Sequence, residues 1–261
     1  MKNYILIIIM ALNLSFGLFC DQITLERDNP LDPKNSDSKR DRISLVELFV
    51  NDNIPNSSFA QNGVVDLFDG DYNNRIVVIE YHIHDSYPDD YSDEVENMQE
   101  LIDRYDILRN DRVDGLPYIA VNGIYMDERE NSIQGASSAD SVKNRLGNLL
   151  DNEISQSNFT IEGTITKTNP IEFNIQIAKL GKESASDLTI NFAVIENIDS
   201  DYRFVLRDLI PERQLDTIKS GEIKDVNVSS ATITVVDSDK ISGVVWIENT
   251  EGNVLQSTII Q

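Results

Sequence analysis

The chain has 261 residues, 40% of them apolar and 26% charged, enough for one large hydrophobic core or two smaller ones. Its 45 acidic residues against 22 basic ones give a net charge of −23, which repels nucleic acid and anionic headgroups and argues against polyanion partners. A single cysteine, Cys20, rules out an intramolecular disulfide.

Met1-Lys2-Asn3 is a short basic start, Tyr4 to Phe19 is almost wholly apolar, and Asp21 opens a polar chain, so residues 1–20 read as a secretory signal. The apolar stretch is shorter than the roughly 18 residues that read as a membrane span. A cysteine directly after such a segment resembles the attachment site of bacterial lipoproteins, where cleavage leaves it as the acylated N-terminus. That resemblance implies a lipid anchor at Cys20 and export to the periplasm or outer membrane. Residues 21–42 hold two prolines and no apolar period, the composition of a flexible tether.

Leu45, Val46, Leu48, Phe49 and Val50 predict a buried strand, Asn51 to Asn53 a turn, and Ser57 or Ser58 the cap of a helix. Phe59, Val64, Val65, Leu67 and Phe68 supply the helix's apolar face, with a break or kink expected at Asn62-Gly63. Arg75 to His84 is a nearly continuous apolar run, suited to a central strand buried on both faces. Ser92 reads as the cap of a second helix with Val95, Met98, Leu101, Ile102 and Tyr105 facing the core. Tyr118 to Val121 predicts a strand, Asn122-Gly123 a hairpin turn and Ile124 to Met126 the partner strand. A last helix starts at Ser138 and buries Val142, Leu146, Leu149 and Leu150.

Beyond Asp151 the pattern changes to period-two alternation. Strands are expected at Phe159 to Lys167, around Phe173 to Ile177, around Leu188 to Val194, and at Tyr202 to Leu206, Glu222 to Val236, Ile241 to Glu248 and Val254 to Ile260. Seven short strands in about 100 residues suggest an immunoglobulin-like β-sandwich over residues 154–261. The expected architecture is α/β over residues 43–153 followed by an all-β domain.

The order strand, Ile54-Pro55-Asn56-Ser57, helix, strand, helix, Gly115-Leu116-Pro117, strand, Asn-Gly resembles the thioredoxin-like superfamily. Val46-Glu47-Leu48-Phe49, Tyr81-His82, Val121-Asn122-Gly123 and Gly243 to Asn249, with the β domain that follows, resemble the outer-membrane-protein-28-related family of thioredoxin-like envelope lipoproteins. The resemblance implies a cis-proline at Pro117 facing the first helix. In that fold a Cys-Pro-x-Cys opens the helix, whose N-terminal end lowers the pKa of the first thiol. Here Ile54 and Ser57 occupy the two cysteine positions, so the fold is kept without redox chemistry and the chain is not expected to be an enzyme. The peptide-binding groove implied for the fold falls on Leu116 and Pro117, beside Ile54, Pro55 and Asn56.

No glycine-rich phosphate loop follows any strand, Ser57 has no local histidine partner, and no cofactor is expected. His82 and His84, as residues i and i+2 of a strand, would share a face and sit about 7 Å apart. With Asp85, or with Asp89, Asp90 or Asp93, they could hold a divalent metal; the alternative is a polar strand end beside an acidic loop. The sequence therefore predicts an exported envelope protein that binds a peptide or protein partner. Alternatives are a structural or surface protein acting through its β domain, and metal binding at His82 and His84.

Overall fold

The computed structural model describes residues 31–32, 35, 38–84, 89, 91, 95, 98–109, 115–123, 131–153, 155–200, 202–233 and 237–261. Cys20, the signal segment, Asp85, Asp90, Ser92, Asp93 and the strand expected at residues 124–126 lie outside these.

The last residues of the expected tether are paired. β1 (Arg40–Asp41) lies antiparallel to β6 (Gln156–Ser157), and the Arg42 amide donates to Ser155 O. The central sheet has eight strands, built around β2 (Ser44–Val50) and β3 (Ile76–His82), which are parallel and buried along their whole length. On one side, β2 pairs antiparallel with β4 (Tyr118–Val121) and β4 with β5 (Ser132–Gln134). On the other side, β3 bonds in parallel to β10 (Val205–Leu215), which continues through β9 (Leu188–Glu196) and β12 (Ile241–Glu248) to β13 (Val254–Ile260). One hydrogen-bonded sheet thus combines strands from before residue 153 with strands from after residue 155. A second sheet is antiparallel, with β8 (Glu172–Lys179) between β7 (Phe159–Ile165) and β11 (Ile223–Ser229).

Helices cover both faces around β2 and β3. Glu80 and Tyr81 are successive strand residues and so point to opposite faces. Glu80 meets Gln61 of α1 (Ser57–Phe68), whereas Tyr81 shares the carboxylate of Glu47 with Arg104 of α2 (Met98–Arg109). α3 (Ala139–Asn152) packs against α1 and opens on Ser138, whose hydroxyl accepts from the Ser141 amide at 3.2 Å. Val142, Leu146 and Leu150 of α3 are buried and Leu149 is partly buried, as the spacing predicts.

Several local expectations are corrected. α1 runs unbroken through Gly63, because that glycine is a packing residue: a Cβ there would lie 2.7 Å from both Ala139 O and Val142 Cβ of α3. Ser57 and Ser58 are inside the helix. Asn56 holds the cap position without a side-chain bond, and the Ser58 hydroxyl donates to Pro55 O. In α2, Ile102 is 37% exposed, and the buried face is Leu101, Leu108 and Arg104. Asn122 and Gly123 both have positive φ, 55° and 98°. Gly123 is bridged to Asn253, with Gly252 O where a Cβ would be, so this turn is clamped against the far end of the chain. Among the described residues, β4 has β5 as its antiparallel neighbour on the side away from β2, and β5 begins nine residues after Gly123.

Most strands after residue 154 fall close to their expected places, but the strand expected at Tyr202 to Leu206 is Val205–Leu215 and the one expected at Glu222 to Val236 is Ile223–Ser229. Ile190, Phe192 and Val194 of β9 and Val245 and Ile247 of β12 face a core shared with β7, β8 and β11. The intervening Ala193, Ile195, Val244 and Trp246 join the core of β2, β3 and the helices. β9 and β12 are therefore buried on both faces, and the two cores share one sheet as their common wall.

Candidate functional site

The carboxyl ends of β2 and β3 lie side by side, with Val50 in register with His82, and the chain there turns into α1. Asn51 organises the turn. Its Nδ2 donates to Ile83 O at 2.8 Å, its Oδ1 accepts from the Asn53 amide, and its own amide donates to the Ser57 hydroxyl at 3.2 Å. Ser57 is buried with its oxygen engaged, while Pro55 and Asn56 are exposed and Ile54 is half-buried. The antiparallel register of β4 on β2 ends with Phe49 opposite Tyr118, which sets Pro117 beside the mouth of this turn. The Leu116–Pro117 peptide is cis, and Pro117 O accepts from the Gly135 amide. Leu116 is half-buried and has no main-chain hydrogen-bond partner among the described residues.

Behind the turn lies a cluster of ionisable groups that sequence reasoning found only in part. His82 is fully buried. Its Nε2 lies 2.8 Å from Glu80 Oε1, and its Nδ1 lies 3.1 Å from each Asp89 oxygen and 3.8 Å from Asp52 Oδ1. Gln61 Nε2 donates to Glu80 Oε1 at 2.9 Å. Asp89 accepts from the amides of Asp52 and Tyr91, both at 2.9 Å, and Tyr202 Oη donates to Asp52 Oδ2 at 3.1 Å. The rings of Tyr91 and Tyr202 pack beside the imidazole, so a residue of the chain's second half closes the cluster. Asp52, His82 and Asp89 each offer a ligand atom, all within 4.8 Å of one another.

Electrostatics couple these groups. Burial opposes the charged imidazole, but hydrogen bonds to Asp89 and Glu80 and their charges outweigh it and raise the His82 pKa to about 9. Burial also works against the Asp89 carboxylate, yet His82 and two amide donors hold its pKa below the ordinary value. Burial pushes Asp52 up, offset in part by His82. β3 ends at His82, which is buried, whereas His84 beyond the strand is exposed. The structure instead brings His82 to Asp52 and Asp89.

On the opposite face of the sheet, Arg104 Nε and Nη2 lie 2.8 and 2.7 Å from the two oxygens of Glu47, and Nη2 is 2.7 Å from Glu248 Oε1. Tyr81 Oη donates to Glu47 and Trp246 Nε1 to Glu248, both at 2.8 Å. Burial disfavours the guanidinium charge, but Glu248 and Glu47 outweigh it and hold the Arg104 pKa well above its usual value. A further buried pair, Arg207 Nε to Glu196 Oε2 at 2.7 Å, lies at the junction of β9 and β10. Sequence reasoning missed these groups, although the signal was present: Glu47 and Glu80 are single charges inside otherwise apolar strands, SLVELFV and IVVIEYH.

These features define a mixed, sheet-rich α/β protein with few helices. No protein-family model matches the sequence, and no curated protein matches it. Among solved structures, HBP35 of Porphyromonas gingivalis is similar with a TM-score of 0.60 at 11% identity, covering 84% of this chain and 74% of that one, and so shares its fold. A domain of the outer membrane lipoprotein Omp28 from Porphyromonas gingivalis reaches a TM-score of 0.31 at 11% identity, over 40% of this chain and 88% of that one. A GH3 β-glucosidase of Bifidobacterium adolescentis reaches 0.27 at 13% identity, over 41% and 17%. Scores of that size do not define a common fold.

Proposed function

We propose that this chain is an exported bacterial envelope protein whose thioredoxin-like first half binds extended polypeptide without thiol chemistry, followed by an immunoglobulin-like β half. The observation that carries the reading is Leu116. It is half-buried at the head of β4, without a main-chain partner among the described residues, beside a turn whose thiol positions hold Ile54 and a hydrogen-bonded Ser57. An extended segment laid there would find main-chain donors and acceptors, with Ile54, Pro55 and Asn56 forming the far wall. Such contacts need no sulfur. Export and lipid anchoring at Cys20 rest on residues 1–20 of the sequence.

The test is crosslinking and affinity capture from native envelope, comparing wild type with Leu116→Asp and with Asn56→Arg at an exposed position, each first shown to be folded. Loss of specific polypeptides from both variants supports the groove. Capture that survives both but is lost in Ile223→Lys moves the site to the β half. There Ile223, on the outer strand β11, is 48% exposed.

A further inference from the structure

We propose that Asp52, His82 and Asp89 form a binding site for a single first-row divalent transition-metal ion, with Glu80 and Gln61 as its outer support. The inference is independent of peptide binding at Leu116, because it concerns the other side of the Asn51 turn.

Three separate places in the chain supply the ligand atoms: the turn after β2, the last residue of β3, and residue 89. A tetrahedral site with bonds of about 2.0–2.2 Å places its ligand atoms about 3.3–3.6 Å apart. Here His82 Nδ1 lies 3.1 Å from Asp89 Oδ1 and 3.8 Å from Asp52 Oδ1, and the three ligand atoms all fall within 4.8 Å of one another, within reach of one ion after side-chain adjustment. The second oxygen of Asp52 is held by Tyr202 Oη, which leaves Oδ1 facing the imidazole.

The orientation of the imidazole is built in the manner of metal-binding histidines. Glu80, an acceptor, takes the Nε2 proton and is itself steadied by Gln61, so the nitrogen turned toward the two aspartates is Nδ1. Loss of the Nδ1 proton on metal binding would turn its lone pair toward the Asp89 oxygens at 3.1 Å and Asp52 Oδ1 at 3.8 Å. Charge leads to the same place. Glu80 is 1% exposed, the Asp52 side chain 25%, and among the described residues neither forms an ion pair with a lysine or arginine. Gathering the carboxylates of Glu80, Asp52 and Asp89 around one imidazole is costly, and a divalent ion would offset their mutual repulsion. One imidazole nitrogen with carboxylate oxygens suits zinc, cobalt, nickel or iron better than the all-oxygen shells of calcium or magnesium.

The experiment uses the full chain stripped with a chelator and titrated with Zn²⁺ by calorimetry, with Co²⁺ as a spectroscopic probe. The expected result is one saturable equivalent, intense visible Co²⁺ absorption of a low-coordinate N/O site, and affinity about tenfold or more weaker in Asp52→Asn and Asp89→Asn. His84→Ala should bind as wild type does. Asp52→Asn is the main variant, since its partly exposed side chain can change without loss of the fold, checked by the urea midpoint of the stripped protein. If Asp89→Asn does not fold, Asp52→Asn and the wild-type Co²⁺ spectrum decide the matter. The proposal is overturned by the absence of saturable binding, by an octahedral Co²⁺ spectrum, or by unchanged affinity in a folded Asp52→Asn.

Discussion

Replacing Arg104 with methionine keeps most of the side chain's apolar contact but strands two carboxylates. Glu47 is fully buried and Glu248 is 7% exposed; each has Arg104 Nη2 at 2.7 Å. The same guanidinium stacks on Trp246, with its carbon 5.5 Å from the ring centre, so α2, β2 and β12 all meet at this residue. Removing one partner of a buried ion pair costs about 3–5 kcal/mol, because the charge left behind has neither water nor a counter-ion. Against a typical total stability of about 5–15 kcal/mol, Arg104→Met should lower the urea midpoint of wild type by about a fifth or more. The stranded charge, rather than lost packing, is the cause, so Arg104→Met/Glu47→Gln/Glu248→Gln should recover a large part of the loss. Chemical denaturation followed by far-UV circular dichroism measures both. A loss below about 1 kcal/mol in Arg104→Met, the size expected of an exposed pair, would refute the reasoning. So would a triple variant no more stable than the single one.

Two glycines separate packing from propensity. Gly63→Ala drives a methyl to 2.7 Å from Ala139 O and Val142 Cβ and should cost about 1–3 kcal/mol. Gly147→Ala meets only Tyr72 Oη at 3.6 Å and Leu67 Cδ1 at 3.7 Å, and should be neutral or stabilising by up to about 1 kcal/mol. Urea melts of the two variants check both signs. In the metal-free protein, the His82 pKa rises on folding from 6.5 to about 9, so its stabilisation is complete below pH 6.5 and is lost as pH rises through 9. The span corresponds to about 3 kcal/mol. Melts of chelator-treated wild type and His82→Gln between pH 6 and 10 should show this slope in the first and not in the second; parallel curves would contradict it.

Much of the order of elements was legible because it lies in local signals. The apolar runs of β2 and β3, the Ser138 cap and 3.6-residue spacing of α3, and the alternating strands β8 and β9 each announce themselves within a few residues, whereas β10, predicted at residues 202–206, runs from Val205 to Leu215. What the sequence hid is long-range. Asn191 and Ala193 alternate in sequence with the apolar residues of β9, yet their face is buried too, with Ala193 joining Trp246 of β12 in the first-half core. Gly63 read as a helix breaker because its neighbour on α3 is more than 70 residues away. The candidate site was half legible. The turn residues Ile54 to Ser57 and Leu116-Pro117 came from their order along the chain. The partners of His82 did not: Asp52 and Tyr202 converge on it from 30 residues before and 120 after. Period-two reasoning placed His84 beside His82, but strand geometry stops at His82.

The central claim is tested most directly by amide hydrogen exchange on the complex of this protein with a polypeptide captured from native envelope. The account predicts new protection at the Leu116 amide and over residues 52–56, with β11 and β13 unchanged. Protection confined to β11 or β13, with the Leu116 amide exchanging as in the free protein, would contradict it.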